Sequence, residues 1–216
     1  MRYKAAIFDL DGTLLDTLAD LADAMNDALK QAGFPTHPID SYKLMIGKGV
    51  NNLVRHALPR GRQDLIEKTL RAMRDNYEKN ATRKTKMYPG MRETLLKLHR
   101  SGIKLAVLTN KDQTFAIKIV EHYFGKNMFE LIWGAMPGRP IKPDPEALIQ
   151  LLDKFKAGPA ETVFVGDSGV DIDVARAAGV YSVGVSWGFR DKKELLEHYA
   201  GSIIDTPAEL LRVMGF

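Results

Sequence analysis

Two aspartates stand two positions apart at the end of a short apolar run near the N-terminus. The run at 3–8 reads YKAAIF, which is typical of a buried parallel strand, and DLDGT follows it from Asp9 onward. In an extended chain, residues two apart point to the same side, so the carboxylates of Asp9 and Asp11 can act as nucleophile and proton carrier respectively. Gly12 permits the tight turn that leaves the strand. The alternative is a loop whose Asp and Thr residues only cap a following helix.

Residues suited to holding a phosphate group follow a second predicted strand and precede a predicted helix. The strand at 103–108 ends at Thr109 and Asn110, which offer a hydroxyl and backbone N–H groups to phosphate oxygens. Lys142 stands before a helix, next to Pro143, whose ring fixes the local backbone. Considered alone, Thr109 could equally well cap a helix, and Lys142 could be an ordinary surface lysine. Their assignment therefore depends on what lies beside them.

A second acidic pair follows the predicted strand at 162–165. Asp167 comes directly after this strand and is a natural oxygen ligand for Mg²⁺, whereas Asp171 either supports it or caps the next helix. In a parallel sheet the carboxyl ends of the strands meet at one edge, so these acids, Asp9, Thr109 and Lys142 are expected to converge. These acids repel one another unless a cation binds between them. Mg²⁺ would supply that cation, and a phosphate group would supply the anion that Lys142 and Thr109 bind. A carboxylate nucleophile would then carry the phosphoryl group covalently and divide one difficult displacement into two.

The elements that must position these residues alternate between strand and helix from residue 89 onward. That order predicts right-handed βαβ units and a parallel sheet. Between the first strand and this region, the stretches 17–32 and 63–77 have apolar residues at helical spacing. The fold class is therefore α/β, a Rossmann-like parallel-sheet core with an inserted helical segment. The insertion lies at the carboxyl edge of the sheet, where ligands bind in such folds.

Composition restricts the classes of function. The chain has 216 residues, of which 45% are hydrophobic and 27% charged, as in ordinary globular proteins. Its net charge of +4 is spread along the chain rather than clustered with aromatic residues, so we expect no nucleic-acid partner. We also expect no membrane partner and no secretory signal, because no apolar run is long enough. The absence of cysteine excludes thiolate chemistry and fits a cytoplasmic location.

The motifs together resemble those of the haloacid dehalogenase superfamily. DxDGT, TN, KP and GDxxxD occur in the family's order and cover essentially the whole chain. The resemblance implies a core domain at 1–15 and 83–216 and a helical cap domain at 16–82 that closes over the site. It also implies Mg²⁺ as the cofactor and a small phosphorylated metabolite as the partner.

The same resemblance implies a role for each matched residue. Asp9 is the nucleophile and Asp11 is the general acid and base. Thr109 and Lys142 hold the phosphoryl oxygens, and Asn110 is counted with them as a substrate-binding residue. The implied metal ligands are all aspartates: Asp9, Asp11 through its main-chain carbonyl, Asp167, and Asp171 through the water shell of the metal.

Within the superfamily, the second acid favours phosphatases. Dehalogenases lack an equivalent of Asp11, because halide displacement needs no proton on the leaving group. DGTLLDT and the VGDS segment look most like phosphoglycolate phosphatases, so the best prediction is an enzyme that hydrolyses a phosphate monoester such as 2-phosphoglycolate, as a monomer or homodimer. Pyrophosphatases and nucleotidases share much of the pattern. A non-catalytic, partner-binding protein of the same fold is a further alternative, which the intact acids disfavour.

Substrate choice is expected to depend on the cap. The segment 46–50 reads IGKGV, a lysine between two glycines inside an otherwise helical block. It resembles the cap loop that meets the substrate in this family, which makes Lys48 a candidate for substrate binding. The alternative is a turn between helices whose lysine faces solvent.

Overall fold

The structure, a computed structural model, describes residues 3–216. Within that range the strands, in chain order, are β1 (Ala5–Phe8), β2 (Leu15–Asp16), β3 (Lys86–Met87), β4 (Lys104–Asp112), β5 (Leu131–Ala135), β6 (Thr162–Gly166), β7 (Tyr181–Val185) and β8 (Ser202–Ile204). The α-helices are α1 (Leu18–Gln31), α2 (Val50–Ala57), α3 (Ile66–Asn80), α4 (Met91–Arg100), α5 (Gln113–Phe124), α6 (Glu146–Phe155), α7 (Gly169–Ala177), α8 (Lys192–Glu197) and α9 (Glu209–Val213). No helix of this range is long and apolar enough to cross a bilayer.

Six strands form one parallel sheet in the order β5-β4-β1-β6-β7-β8. The first strand lies near its centre, with Ala5 in register with Lys104 of β4 on one side and with Thr162 of β6 on the other. The residues that follow β1, β4 and β6 are consequently neighbours at the carboxyl edge. The predicted α/β class with a parallel sheet is confirmed.

Both faces of the sheet are covered, which explains why its strands are continuously apolar. In β1, Ala5 and Ile7 pack into one apolar layer with residues of α6 and α7, whereas Ala6 and Phe8 pack into the opposite layer with residues of α4 and α5. All four side chains are fully buried. Strands buried on both faces are typical of parallel sheets flanked by helices.

The segment between β2 and β3 consists of α1, α2 and α3, joined by two short 3₁₀ helices. α1 packs on α3 with its apolar face. The buried carboxylate of Asp20 in α1 accepts hydrogen bonds from the backbone of Lys84 and Thr85, at 3.0 and 2.8 Å, and from the Thr85 hydroxyl at 2.7 Å. The chain is therefore fastened to α1 where it returns to the sheet.

Two local features differ from the expected pattern. The strand predicted to end at residue 108 continues through Asn110 to Asp112, because β5 extends the pairing with a register shift that joins Asp112 to Ala135. β2 and β3 form a small antiparallel pair in which Leu15 is in register with Met87. Strands of two residues are too short to show a period in sequence.

Candidate active site

Asp9 lies at the carboxyl end of the central strand and forms a buried ion pair with a lysine. The Nζ atom of Lys142 is 2.8 Å from Oδ1 of Asp9 and 2.6 Å from Oδ1 of Asp171, and the lysine side chain is only 2% exposed. Burial alone would lower the pKa of Lys142, but the attraction of Asp171 and Asp9 outweighs it and raises the pKa. The lysine therefore stays charged between two carboxylates.

Three buried carboxylates form an acidic cluster, which we define as Asp9, Asp167 and Asp171. One oxygen from each lies within 4.8 Å of the others. Burial is the largest cause that raises the pKa of Asp9 to about 6, and Lys142 opposes it. Burial, followed by repulsion from Asp171 and Asp9, raises the pKa of Asp167 well above its usual range. One lysine cannot neutralise three acids, so the cluster has the donor type and the excess negative charge that suit a hard divalent cation.

The position of Asp167 is determined by two glycines that approach it closely. A Cβ atom at Gly12 would lie 2.3 Å from Oδ2 of Asp167, and one at Gly188 would lie 2.2 Å from its Cβ. The same Oδ2 accepts a 2.7 Å hydrogen bond from the backbone N–H of Phe189. A larger residue at either glycine would displace a carboxylate of the acidic cluster.

The carboxylate of Asp11 is directed away from the acidic cluster. Its Oδ1 accepts a 2.7 Å hydrogen bond from the hydroxyl of Thr17 and lies 2.9 Å from Nζ of Lys111, whose second contact is Oδ2 at 3.1 Å. Lys111 is 5% exposed, and its ammonium lies 4.6 Å from the ring centre of Tyr77 in α3. The predicted metal contact of Asp11 through its main-chain carbonyl stays a prediction, whereas its side chain is free of the cluster, as an acid and base requires.

Thr109 and Asn110 have different environments although they are adjacent. Thr109 is buried beside the site, and its hydroxyl oxygen accepts a 3.3 Å hydrogen bond from the backbone N–H of Lys111. The Asn110 side chain accepts from the N–H of Lys142 at 2.8 Å and donates to the carbonyls of Lys142 and Gly47, at 2.9 and 3.0 Å. Its amide therefore positions Lys142 and holds the turn at 46–50. A contact between Asn110 and the substrate through its main chain stays a prediction.

The turn at 46–50 contacts the core through two consecutive carbonyls. Gly47 accepts from Asn110, as above, and Ile46 accepts a 2.8 Å hydrogen bond from Arg190. Gly47 and Gly49 have φ of +105° and +83°, a region that favours glycine, and this explains the flanking glycines. Lys48 between them is exposed and lines two open grooves on the outer side of the turn. Its predicted contact with the substrate stays a prediction.

An inner cavity lies between the turn and the strand ends. Its volume is about 50 Å³. Asp9, Asp11, Thr109 and Lys111 line one wall, and apolar side chains form most of the other, namely Leu21, Val50, Leu53 and Met73 of the helical segment and Phe115 of α5. The nucleophile candidate and the acid–base candidate thus face one small, partly apolar space.

The family model for haloacid dehalogenase-like hydrolases matches residues 6–185, a range that includes the acidic cluster, Asp11, Thr109, Lys111 and Lys142. The chain belongs to that family. Over 216 residues this hydrolase is 32% identical to the phosphoglycolate phosphatase of Nitrosospira multiformis, covering 98% of the chain and 95% of the relative. It is 33% identical to the phosphoglycolate phosphatase of Vibrio parahaemolyticus, covering 98% and 96%.

A solved structure agrees with these sequence relatives. The crystal structure of a predicted phosphoglycolate phosphatase from Haemophilus somnus superimposes on the hydrolase with a TM-score of 0.91 at 30% identity, covering 99% of this chain and 98% of the other. The predicted resemblance and fold class are confirmed, and so is the predicted enzyme class, a phosphoric monoester hydrolase.

Sequence reasoning did not identify Lys111 or Arg190 as part of the hydrolase's site. Lys111 follows Thr109 and Asn110 at a strand end, so its position on the carboxyl edge was a usable signal. Arg190 lies in the loop after β7 with no motif around it. Only the structure shows that it contacts Ile46, 144 positions earlier in the chain.

Proposed function

We propose that the hydrolase is an Mg²⁺-dependent phosphatase that releases phosphate from 2-phosphoglycolate through a phosphorylated Asp9. The observation that carries the proposal is the position of Asp9, which belongs to a buried acidic cluster and faces the inner cavity that also contains Asp11. The phosphoglycolate phosphatases named above supply the choice of substrate. The small volume of the cavity fits a short leaving group.

In the proposed reaction, an oxygen of Asp9 attacks phosphorus and the bond from phosphorus to the ester oxygen breaks. Asp11 gives that oxygen a proton, so the alcohol leaves neutral, and then takes a proton from the water that attacks phosphorylated Asp9. Water attack releases inorganic phosphate and restores the Asp9 carboxylate. Lys142 and Thr109 hold the phosphoryl oxygens in both steps.

The residues proposed to hold Mg²⁺ are Asp9, Asp167 and Asp171, with the main-chain carbonyl of Asp11. The cluster brings three carboxylates together in a buried place, and burial, followed for Asp167 by repulsion from Asp171 and Asp9, raises the pKa values of Asp9 and Asp167, which fits this role. When bound, the cation neutralises charge on the phosphoryl group and on its nucleophile.

We also propose that residues 16–82 form a cap domain over a core of 1–15 and 83–216. The small β2–β3 sheet stands at both connections between the two parts, and the helical segment supplies most of the apolar cavity wall. A cap with these contacts keeps water from the site while the substrate is bound. A cytoplasmic location and a monomeric or homodimeric state stay predictions.

A substrate screen tests this function. The purified protein is assayed for phosphate release, with and without Mg²⁺, from 2-phosphoglycolate, a sugar phosphate, a nucleoside monophosphate and pyrophosphate. We expect the highest kcat/KM for 2-phosphoglycolate. A preference for pyrophosphate or for the nucleotide would support the alternative activities of the family, and no turnover of any of these compounds would contradict the proposal.

Asp11→Asn is expected to separate the two steps. The variant keeps the nucleophile but can neither protonate a leaving alkoxide nor activate water, so turnover should fall by roughly 10²- to 10⁴-fold. With an aryl phosphate, whose leaving group needs no proton, phosphorylated Asp9 should form and accumulate. Intact-mass measurement after brief incubation with substrate should show one added phosphoryl group. Thr17→Val is the matched control, because it removes a hydrogen bond to Asp11 without removing the carboxylate. Wild-type turnover by Asp11→Asn would exclude Asp11 as the acid and base.

A further inference from the structure

The wall of the inner cavity carries a buried positive charge that the phosphoryl-transfer steps do not use. Among the described residues that line this cavity, Lys111 is the one cation. Lys142, the cation that contacts Asp9, lies at the acidic cluster instead. Lys48 lies outside the cavity on the exposed side of its turn. A second anionic group on a bound substrate would therefore meet Lys111 and not Lys48.

The ammonium of Lys111 retains capacity for a ligand. Asp11 engages it through two contacts of 2.9 and 3.1 Å, and an ammonium has three donor hydrogens. Burial alone would lower the pKa of Lys111, but the charge of Asp11 outweighs it and raises the pKa, so the group stays cationic. Asp112, the third carboxylate of the wall after Asp9 and Asp11, forms an ion pair with Arg74 at 2.7 Å.

A neutral donor stands beside this cation. Tyr77 is 1% exposed and lines the same cavity, and no acceptor for its hydroxyl proton lies at hydrogen-bond geometry among the described residues. The hydroxyl oxygen is close enough to the Lys111 ammonium for the two groups to interact. Burial raises the pKa of the Tyr77 hydroxyl, which keeps its proton in place for donation. A buried hydroxyl without a partner is uncommon in folded proteins and is explained here if a ligand supplies the acceptor. A cation next to a hydroxyl in a small, partly apolar space is a suitable site for a carboxylate.

We propose that Lys111 and Tyr77 bind the carboxylate of a short phosphorylated carboxylic acid whose phosphoryl group is attacked by Asp9. The assignment deepens the proposed function and depends on it. It places recognition of the acid on β4 and on α3, whereas Lys48 of the 46–50 turn is exposed and does not line the cavity. The cavity, with a volume of about 50 Å³, has room for a few water-sized groups and suits a short acid.

The test compares two substrates within each enzyme preparation, so that loss of folded protein cancels. 2-Phosphoglycolate carries the carboxylate, and propyl phosphate has a similar length without it. The quantity measured is the ratio of their kcat/KM values in the wild type, Lys111→Met, Tyr77→Phe and Lys48→Met. We expect Lys111→Met to lower this ratio by about 10- to 100-fold, as for loss of a charged hydrogen bond, and Tyr77→Phe by about 2- to 10-fold.

The remaining outcomes are also decisive. Tyr77→Phe removes a single oxygen atom, so it reports on the carboxylate even if Lys111→Met is poorly folded. An unchanged ratio in both variants, with wild-type activity on 2-phosphoglycolate intact, overturns the assignment and leaves the proposed function standing. A fall in the ratio confined to Lys48→Met overturns it in favour of the cap lysine. A wild type that hydrolyses propyl phosphate as well as 2-phosphoglycolate refutes carboxylate recognition as such.

Discussion

Asp9→Asn is expected to lower kcat by roughly 10³-fold or more on every phosphate ester that the hydrolase accepts. The substitution keeps the shape of the side chain but removes the charge that attacks phosphorus. The variant should remain folded, because Lys142, which loses its charged partner Asp9, keeps its 2.6 Å ion pair with Asp171. Phosphate release under saturating substrate measures the effect, and thermal unfolding reports whether the fold is kept.

The matched control for this experiment is Asp173→Asn. Asp173 also belongs to the α7 region of the core, but its carboxylate pairs with His198 and Arg176 on the surface rather than with the acidic cluster. We expect its activity to stay within about twofold of the wild type, since exposed ion pairs contribute little. A residual rate above a tenth of the wild type in Asp9→Asn would exclude Asp9 as the nucleophile.

Removal of divalent cations is expected to abolish activity, and addition of Mg²⁺ should restore it. The physical reason is the acidic cluster of three buried carboxylates, of which Lys142 contacts Asp9 and Asp171 while the charge of Arg190 acts on Asp167. Ca²⁺ should restore little activity, because its looser coordination would misplace the nucleophile. Full activity in excess chelator would contradict the assignment of a metal site. An Asp167→Asn variant that binds Mg²⁺ with the affinity of the wild type would contradict it as well.

The affinity for Mg²⁺ should also depend on pH, with a sign set by the raised pKa values. Protons and the cation compete for Asp9, whose pKa is about 6, and for Asp167, whose pKa is also raised. Competition at Asp9 alone lowers the affinity as pH falls through about 6, by about tenfold at pH 5, and protonation of Asp167 lowers it further. Calorimetric titration between pH 5 and pH 8 measures it. A constant affinity over this range would show that these carboxylates are not the ligands.

The parallel core and its motif residues were accessible from sequence because each of them follows a regular element. β1 and β6 are short apolar runs, and the register of a parallel sheet brings the residues after them to one edge. Asp9, Asp167 and Lys142 are close together in the structure, as that reasoning requires. The roles of these residues in catalysis stay predictions until the variants are measured.

Other parts of the site depend on contacts that no local pattern encodes. Lys111 and Asp11 are 100 positions apart, and their pairing follows from the path of β4 beyond Thr109. Asp20 lies in α1, for which the sequence indicated only an apolar face. Its carboxylate accepts a hydrogen bond from the backbone N–H of Lys84, which comes 64 positions later in the chain. The two glycines around Lys48 indicate a turn but do not determine on which side of it the lysine lies. Side-chain direction in a turn depends on tertiary contacts, which is why Lys48 and Lys111 could not be ranked beforehand.

The hydrogen bonds from Asn110 and Arg190 to the 46–50 turn have a consequence for the time course of turnover. The turn forms part of the cavity wall, so exchange of substrate and product through this wall requires both bonds to break. A hydrogen bond contributes a net of about 1 kcal/mol, and two of them favour the closed arrangement by roughly 30-fold. At any instant only about one molecule in thirty would then have this entrance open, and release of product would proceed through that minority population.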